Sequence, residues 1–319
     1  MNVGLIDVDN WGNMKNCFPN LPLMKISSFY KRHDHSVEWY EEGKDYDLVF
    51  KSKVFSFTPD IPVIGDVVEV RSGGSGYFIH LKDGKEVFDK ECHRNLIDQI
   101  EHSYPDYGLY GITDTAFGFM SRGCPRGCHF CHVEAKEGRR SYKVADLSEF
   151  WSGQKKIELM DPNTFACKDW KDILTQLIDS GSLVNFNQGV DVRILNSERI
   201  QYLQKVKLKH VHFAFDRFED WDIVTRNLLK VRDITGWRRD KVSVYILTNF
   251  NTTFEQDLKR CLFVRDVCGF QPYVMRYDKE HIPRGADVNA LARWMNWKRF
   301  CWTVPTFEDY KRLRKEGKV

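Results

Sequence analysis

Residues 121–131 read Ser-Arg-Gly-Cys-Pro-Arg-Gly-Cys-His-Phe-Cys and set three cysteines, Cys124, Cys128 and Cys131, at C-x3-C-x2-C spacing in one short loop. Thiolates this close together can hold three corners of one polynuclear centre, and iron–sulfur clusters are held by such cysteines. The next cysteine is Cys167, so no fourth local thiolate completes the set. A 4Fe–4S cluster on three thiolates leaves one iron open to an outside ligand. Gly123 and Gly127 allow the backbone to wrap a bulky inorganic object. The competing reading is a structural zinc site, with His129 or His132 as the fourth ligand. Zinc ligands more often come as paired C-x2-C elements a dozen or more residues apart. Here every ligand crowds one loop behind a strand-like run at 117–120, and the cluster is the favoured reading.

The same loop resembles the signature of the radical S-adenosylmethionine (SAM) superfamily, C-x3-C-x-aromatic-C, with Phe130 in the aromatic position. The resemblance implies that the open iron chelates the amino and carboxylate groups of SAM. It further implies that an electron from the cluster cleaves SAM to a 5′-deoxyadenosyl radical, which abstracts hydrogen from a substrate that the sequence does not identify. An electron donor such as flavodoxin or ferredoxin follows from the same resemblance. Two alternatives stand beside this reading: a cobalamin-dependent radical SAM methyltransferase, and a non-catalytic iron–sulfur or zinc protein.

A chain of 319 residues is long enough for two domains, and its 42% hydrophobic and 29% charged residues make an ordinary globular mix. The net charge of +3 neither argues for nucleic acid nor excludes it. The amino terminus lacks a basic segment followed by an apolar one, and no apolar run approaches a membrane span. The expectation is a cytoplasmic protein with reduced thiols and no membrane partner. Only Cys17 and Cys92 lie upstream of the loop, too few for the three-cysteine amino-terminal domain of the radical SAM methylthiotransferases. Cys167, Cys261, Cys268 and Cys301 are widely spaced, which disfavours a second cluster, and are expected to be buried.

The chain opens on an apolar run, 2–8, that suits a strand buried on both faces. A polar turn at 9–13, a helix at 21–32 and strands at 37–40, 47–57 and 67–70 follow, then Ser72-Gly73-Gly74-Ser75-Gly76. This alternation predicts a small open α/β sheet of flavodoxin-like type. It resembles the cobalamin-binding-type domain that precedes many radical SAM cores. That family carries D-x-H-x-x-G after its first strand, and the matching stretch here is Asp7-Val8-Asp9-Asn10-Trp11-Gly12, with Gly73-Gly74 at the place of its later glycine turn. Asp9 stands where the metal-ligating histidine would be, and a carboxylate replaces imidazole poorly on cobalt. Either cobalamin binds without a protein axial ligand, or the domain is a degenerate relic that shapes the substrate cleft. The second is favoured, so cobalamin is disfavoured. Residues 80–85 and 104–108 read as turns.

From 117 on, strands at 117–120, 156–160, 184–187, 210–215, 241–247 and 271–275 alternate with helix-length pieces such as 169–180, 197–205 and 253–268. Each strand finishes in polar residues, at the edge where parallel β/α sites assemble. Six units agree with the partial (β/α)6 barrel that the resemblance implies. The expected domains are 1–110, cobalamin-binding-like; 111–285, the radical SAM barrel; and 286–319, a helical tail.

The resemblance also implies SAM contacts. In the family a Gly-Gly-Glu-like segment meets the SAM amine, and the equivalent place holds Met160-Asp161-Pro162-Asn163, so Asp161 or Asn163 takes that role. Arg193 or Arg276 would take the carboxylate. Gln188, Asp191, Asp216 and Asn249 are available to the ribose hydroxyls, and the backbone beside Phe130 to the adenine edge. Each polar residue alone reads equally well as a loop cap or a surface ion pair; the signal is their clustering at strand ends. In the tail, Trp294, Trp297, Trp302 and Tyr310 stand amid Lys and Arg. Such residues can stack bases and meet phosphates, which leaves nucleic acid open as a partner. The three-residue spacing of Trp294 and Trp297 fits a helix packing its aromatic face on the barrel, and packing is favoured.

Overall fold

The computed structural model describes residues 1–14, 17–82, 85–90 and 95–318. Cys92 and Asp83-Gly84, the centre of the expected turn at 80–85, lie outside the described residues. The chain is mixed α/β with parallel sheets and divides into two compact units, Met1–Ile157 and Glu158–Val319.

In the first unit, β1 (Asn2–Asp7), α1 (Leu21–Arg32), β2 (Ser36–Trp39), β3 (Tyr46–Ser52) and β4 (Val67–Gly73) build a four-stranded sheet of order β2-β1-β3-β4. Every neighbouring pair in it is parallel. As its apolar run predicts, β1 is buried on both faces. Val3 and Leu5 pack with Leu23, Ile26 and Tyr30 of α1, while Ile6 and Val8 pack with Tyr40, Tyr46 and Val49. The Asn20 side chain accepts the Leu23 N–H at the start of α1, and Lys31 and Arg32 close its last turn, where cations suit the helix dipole.

The third strand stops at Ser52, five residues short of the expected Phe57. The Asp9 carboxylate is the reason. It accepts from the N–H of Val54 (2.6 Å), the N–H of Phe55 (3.4 Å) and the hydroxyl of Thr58 (2.6 Å), taking these groups out of any strand ladder. Pro59 and Pro62 then keep the segment from becoming a helix. Irregular chain carrying Ile61 and Val63 therefore packs against the second core cluster.

The unit continues with β5 (Ile79–Lys82) and β6 (Lys85–Phe88), an antiparallel hairpin where the sequence suggested only a turn. Next come α2 (Asp98–Glu101), β7 (Thr115–Gly118), β8 (Ser121–Arg122), α3 (Val133–Glu137) and β9 (Tyr142–Lys143). β10 (Lys156–Leu159) carries the chain into the second unit.

That unit comprises α4 (Trp170–Asp179), β11 (Leu183–Phe186), α5 (Ser197–Lys205), β12 (Val211–Ala214), α6 (Trp221–Thr235), β13 (Val242–Thr248), α7 (Phe254–Leu262), β14 (Gln271–Arg276), α8 (Asp287–Asn296), α9 (Lys298–Thr303) and α10 (Phe307–Lys315). β12, β13 and β14 form a parallel sheet in that order, and single bridges, Val184↔Leu208 and Val190↔Phe213, join the β11 segment to the β12 segment. Among the described residues no sheet closes into a barrel, and no helix is long and apolar enough to cross a membrane. A Thr253–Gln256 capping box starts α7, which runs into a π-helical turn at Phe263–Val267. In the tail Trp294 and Tyr310 are fully buried and stack at 6.2 Å, so packing holds for them. Trp297 departs from it. α8 ends at Asn296, Trp297 has extended backbone, and its side chain is 60% exposed.

Candidate functional site

The cysteine loop is closed at its base by the β8–β9 pair, Ser121↔Lys143 and Arg122↔Tyr142. Above it the Cys124 N–H donates to the Gly138 carbonyl (3.3 Å) and the Gly123 N–H to Glu137 Oε2 (2.9 Å), while Arg122 Nη1 donates to Glu137 Oε1 (3.0 Å). Gly123 is required, because it faces backbone, whereas Gly127 has a positive φ that favours glycine and faces movable side-chain ends. A Cβ at Gly123 (φ 79°) would lie 2.1 Å from the Arg140 carbonyl oxygen, and one at Gly127 (φ 57°) would lie 2.6 Å from the Glu134 carboxylate. The Cys131 N–H donates to the Cys128 carbonyl at 2.9 Å, which turns the chain tightly between the second and third cysteines. Cys124, Cys128 and Phe130 are half-buried and Cys131 is exposed.

Among the described residues no three His, Cys, Asp or Glu side chains form a group that fits a single metal ion. The fit to a cluster rests instead on the donor set and the tied backbone. Residues 122–140 carry five Lys and Arg against two Glu, but Glu86 and Glu101 also reach this loop, and Arg122 and Arg139 are ion-paired.

The far side of the loop rests on the first part of its own unit. His132 Nε2 meets Glu86 Oε2 at 3.2 Å, and Lys136 Nζ donates to Ser75 Oγ at 2.9 Å. Burial pulls the Lys136 ammonium below its ordinary value, with Glu137 opposing. Glu101 takes Lys25 (3.0 Å) and Arg122 (3.3 Å). Burial pushes its carboxyl up, but the two cations outweigh that and hold it below the usual range. His129 is exposed.

In the second unit the polar strand ends form two groups. Asn163, buried beyond β10, donates through Nδ2 to Asp191 Oδ2 (3.4 Å). Asp191 Oδ1 accepts from the Arg193 backbone N–H (3.2 Å) and from its Nε (2.7 Å), and Arg193 Nη1 donates to Asp220 Oδ2 (2.9 Å). Burial works against the Arg193 guanidinium, but Asp191 and Asp220 prevail and raise it above its ordinary value. The buried Asp161 accepts from the Thr164 hydroxyl at 3.3 Å.

Asp216 and Asn249 belong to the second group, at the ends of β12 and β13. Asp216 Oδ1 accepts the Leu247 N–H (3.2 Å). Burial pushes its carboxyl up to about 6, against that N–H and the cations Arg260 and Arg193. Asn249 has left-handed backbone (φ 62°), and its N–H donates to Asp257 Oδ2 at 3.3 Å. Arg260, with no exposed surface, donates to Asp257 Oδ1 (2.5 Å), to the Leu247 carbonyl (2.7 Å) and to the Phe215 carbonyl. This guanidinium ties the carboxyl ends of β12 and β13 to α7.

Gln188 is exposed in the turn after β11. Arg276 stands apart from both groups in its bonding, with Nη1 on Asn289 Oδ1 at 2.7 Å. Sequence reasoning missed Asp220, Asp257 and Arg260. The signal available for the last two was their i,i+3 spacing on an otherwise apolar helix face. The four downstream cysteines are all buried. Burial pushes the Cys268 thiol up to about 12 and the Cys301 thiol up to about 11, and it raises those of Cys167 and Cys261 as well. No family model matches this chain, and no curated protein matches it.

Proposed function

We propose that this chain is a radical SAM enzyme whose 4Fe–4S cluster is held by Cys124, Cys128 and Cys131. The observation that carries the reading is the C-x3-C-x2-C loop, tied at its base by β8, β9 and Glu137, with each of its cysteines at least partly exposed. When bound, such a cluster supplies the electron that cleaves SAM to a 5′-deoxyadenosyl radical, which takes hydrogen from a substrate. The chain's own residues bind and orient. Arg193 uses two side-chain nitrogens on Asp191 and Asp220 and keeps further N–H donors for the SAM carboxylate, a role it suits better than Arg276. Asp161 and Asn163 offer oxygen acceptors to the SAM amine. Asp191, Gln188, Asn249 and Asp216 are available to the ribose hydroxyls, and the backbone beside Phe130 to the adenine edge. The fold that goes with this reading is a partial (β/α)6 barrel, and the parallel strands β12, β13 and β14 with the helices between them support it. An electron donor such as flavodoxin or ferredoxin and a cytoplasmic setting with reduced thiols belong to the same reading.

The zinc alternative would need His129 or His132 as its fourth ligand; His129 is exposed, and His132 Nε2 already meets Glu86. The cobalamin-dependent alternative loses support at Asp9, whose carboxylate is engaged by the loop at 54–58. The glycine at 74 has a local cause too: at φ 93° a Cβ there would lie 2.3 Å from the Lys53 carbonyl oxygen. A degenerate first domain is the reading these contacts support.

The test is anaerobic reconstitution with iron and sulfide, reduction, and addition of SAM. The expected product is 5′-deoxyadenosine, with iron and product lost in Cys128→Ala and kept in Cys268→Ala. A brown protein inert to SAM would leave only an iron–sulfur module, and a colourless protein loaded with zinc would overturn the cluster itself.

A further inference from the structure

The second unit contains a cavity of about 550 Å³ into which five cationic side chains converge: Arg276 from β14, Lys279 and Arg284 from the following loop, Arg293 from α8 and Arg314 from α10. Among the described residues no carboxylate lines it, and none of the five is in an ion pair. Glu280, next to Lys279 in sequence, is exposed and does not line the cavity, and other nearby carboxylates are engaged elsewhere. Asp278 meets His281 (2.5 Å), Asp287 meets Lys311 (3.4 Å) and Asp309 meets Arg312 (2.8 Å). Five like charges around one space repel each other, and an anion entering that space relieves the repulsion. One carboxylate or one phosphate would leave most of the charge unmatched. Guanidinium groups pair with phosphate through two parallel N–H donors, and four of the five cations are arginines. The cavity is the size of a small-molecule site.

A second feature narrows the ligand. Trp297 lines the same cavity, is 60% exposed, and lies parallel to Phe300 at 5.4 Å and 2°. A rigid exposed indole backed by a second ring is a stacking surface for a planar base. We propose that this cavity binds a nucleotide carrying two or more phosphates, with the phosphates on the arginines and the base on Trp297. The proposal does not rest on the cluster or on SAM.

The test is calorimetric titration of the full chain, at low salt and without reconstituting the cluster, with ATP, pyrophosphate, adenosine and a short single-stranded oligonucleotide. ATP should bind tighter than pyrophosphate, and adenosine should bind more weakly than both. Lys279 and Arg284 are exposed and unpaired, so Lys279→Gln with Arg284→Gln should keep the melting temperature and weaken ATP and pyrophosphate alike by about tenfold or more. Trp297→Ala should bring ATP down to the affinity of pyrophosphate and leave pyrophosphate unchanged. Equal affinity for ATP and pyrophosphate in the parent protein would remove the base from the site. Tighter binding of the oligonucleotide than of ATP would make the ligand a strand, and no binding, or full binding by the charge variant, would remove the site altogether. Because iron plays no part, failure here is separable from failure of the radical SAM reading.

Discussion

Asp216 lies just past β12 with one carboxylate oxygen on the Leu247 N–H, and burial carries its carboxyl up to about 6, into the range where a side chain changes charge near neutrality. The folded state therefore holds this proton more tightly than the unfolded chain, whose aspartates titrate near ~3.9. The stability this contributes is fully present below ~4 and is lost as pH rises through about 6. Asp216→Asn keeps an oxygen for the Leu247 N–H and removes the charge. It should be more stable than the parent at pH 8 by on the order of 2–3 kcal/mol, with the gap closing as pH falls toward ~4 in urea titrations. A gap independent of pH would mean that desolvation is not what moves this group. The contrast with the cysteine loop shows what a sequence reveals at this scale. Cys124, Cys128 and Cys131 are neighbours in the chain, so the cluster proposed for them could be read from spacing alone. Asp216 could be named from its place at a strand end, but its proton affinity depends on surroundings drawn from Leu247 and Arg260.

At the level of elements, hydrophobic periodicity located most of the strands and the helices α1, α4, α5 and α7, chiefly because these bury a face, and burial is what periodicity records. β4 is the exception, nearly all of it exposed, and α6 was not named. Periodicity failed where a side chain overrode it. Val54 and Phe55 continue the apolar pattern of β3, yet their N–H groups belong to Asp9. Trp297 keeps helical spacing from Trp294, yet α8 ends one residue before it. The Asp257–Arg260 pair on α7 was illegible because its work is tertiary. It joins the ends of β12 and β13 through two carbonyls that no spacing announces. Both residues are buried, so removing one partner strands the other's charge. Arg260→Ala should cost about 3–5 kcal/mol in urea unfolding. Asp257→Asn combined with Arg260→Met should be less damaging than Arg260→Met alone, because no buried carboxylate is then left unmatched. Additive losses across that cycle would show that the two residues stabilise α7 independently.

For the molecule as a whole, the near-balanced charge of +3 concealed the five unpaired cations between Arg276 and Arg314, since carboxylates elsewhere cancel them in the sum but not in space. The open parallel sheet at the amino terminus was legible from its strand pattern, and the match to a cobalamin-binding-type domain drew on the same residues. What occupies the carboxyl edge of that sheet was not legible. There the chain lies against itself: Asp9 gathers the loop at 54–58, and the Gly76 N–H donates to the Lys53 carbonyl at 2.9 Å. If the first domain is the degenerate relic proposed above and this closure keeps a corrinoid out, placing an imidazole at Asp9 should not be enough. The parent protein and Asp9→His should both release hydroxocobalamin during anaerobic gel filtration. Asp9→His should also unfold earlier in urea, by about 1–3 kcal/mol, because the Val54 and Phe55 N–H groups lose their carboxylate acceptor. Retention of the corrinoid by Asp9→His alone would mean that the edge is open and only the ligand was lost. Retention by the parent would mean that the closure seen here yields to the cofactor, and methyl transfer would become the better reading of the chemistry.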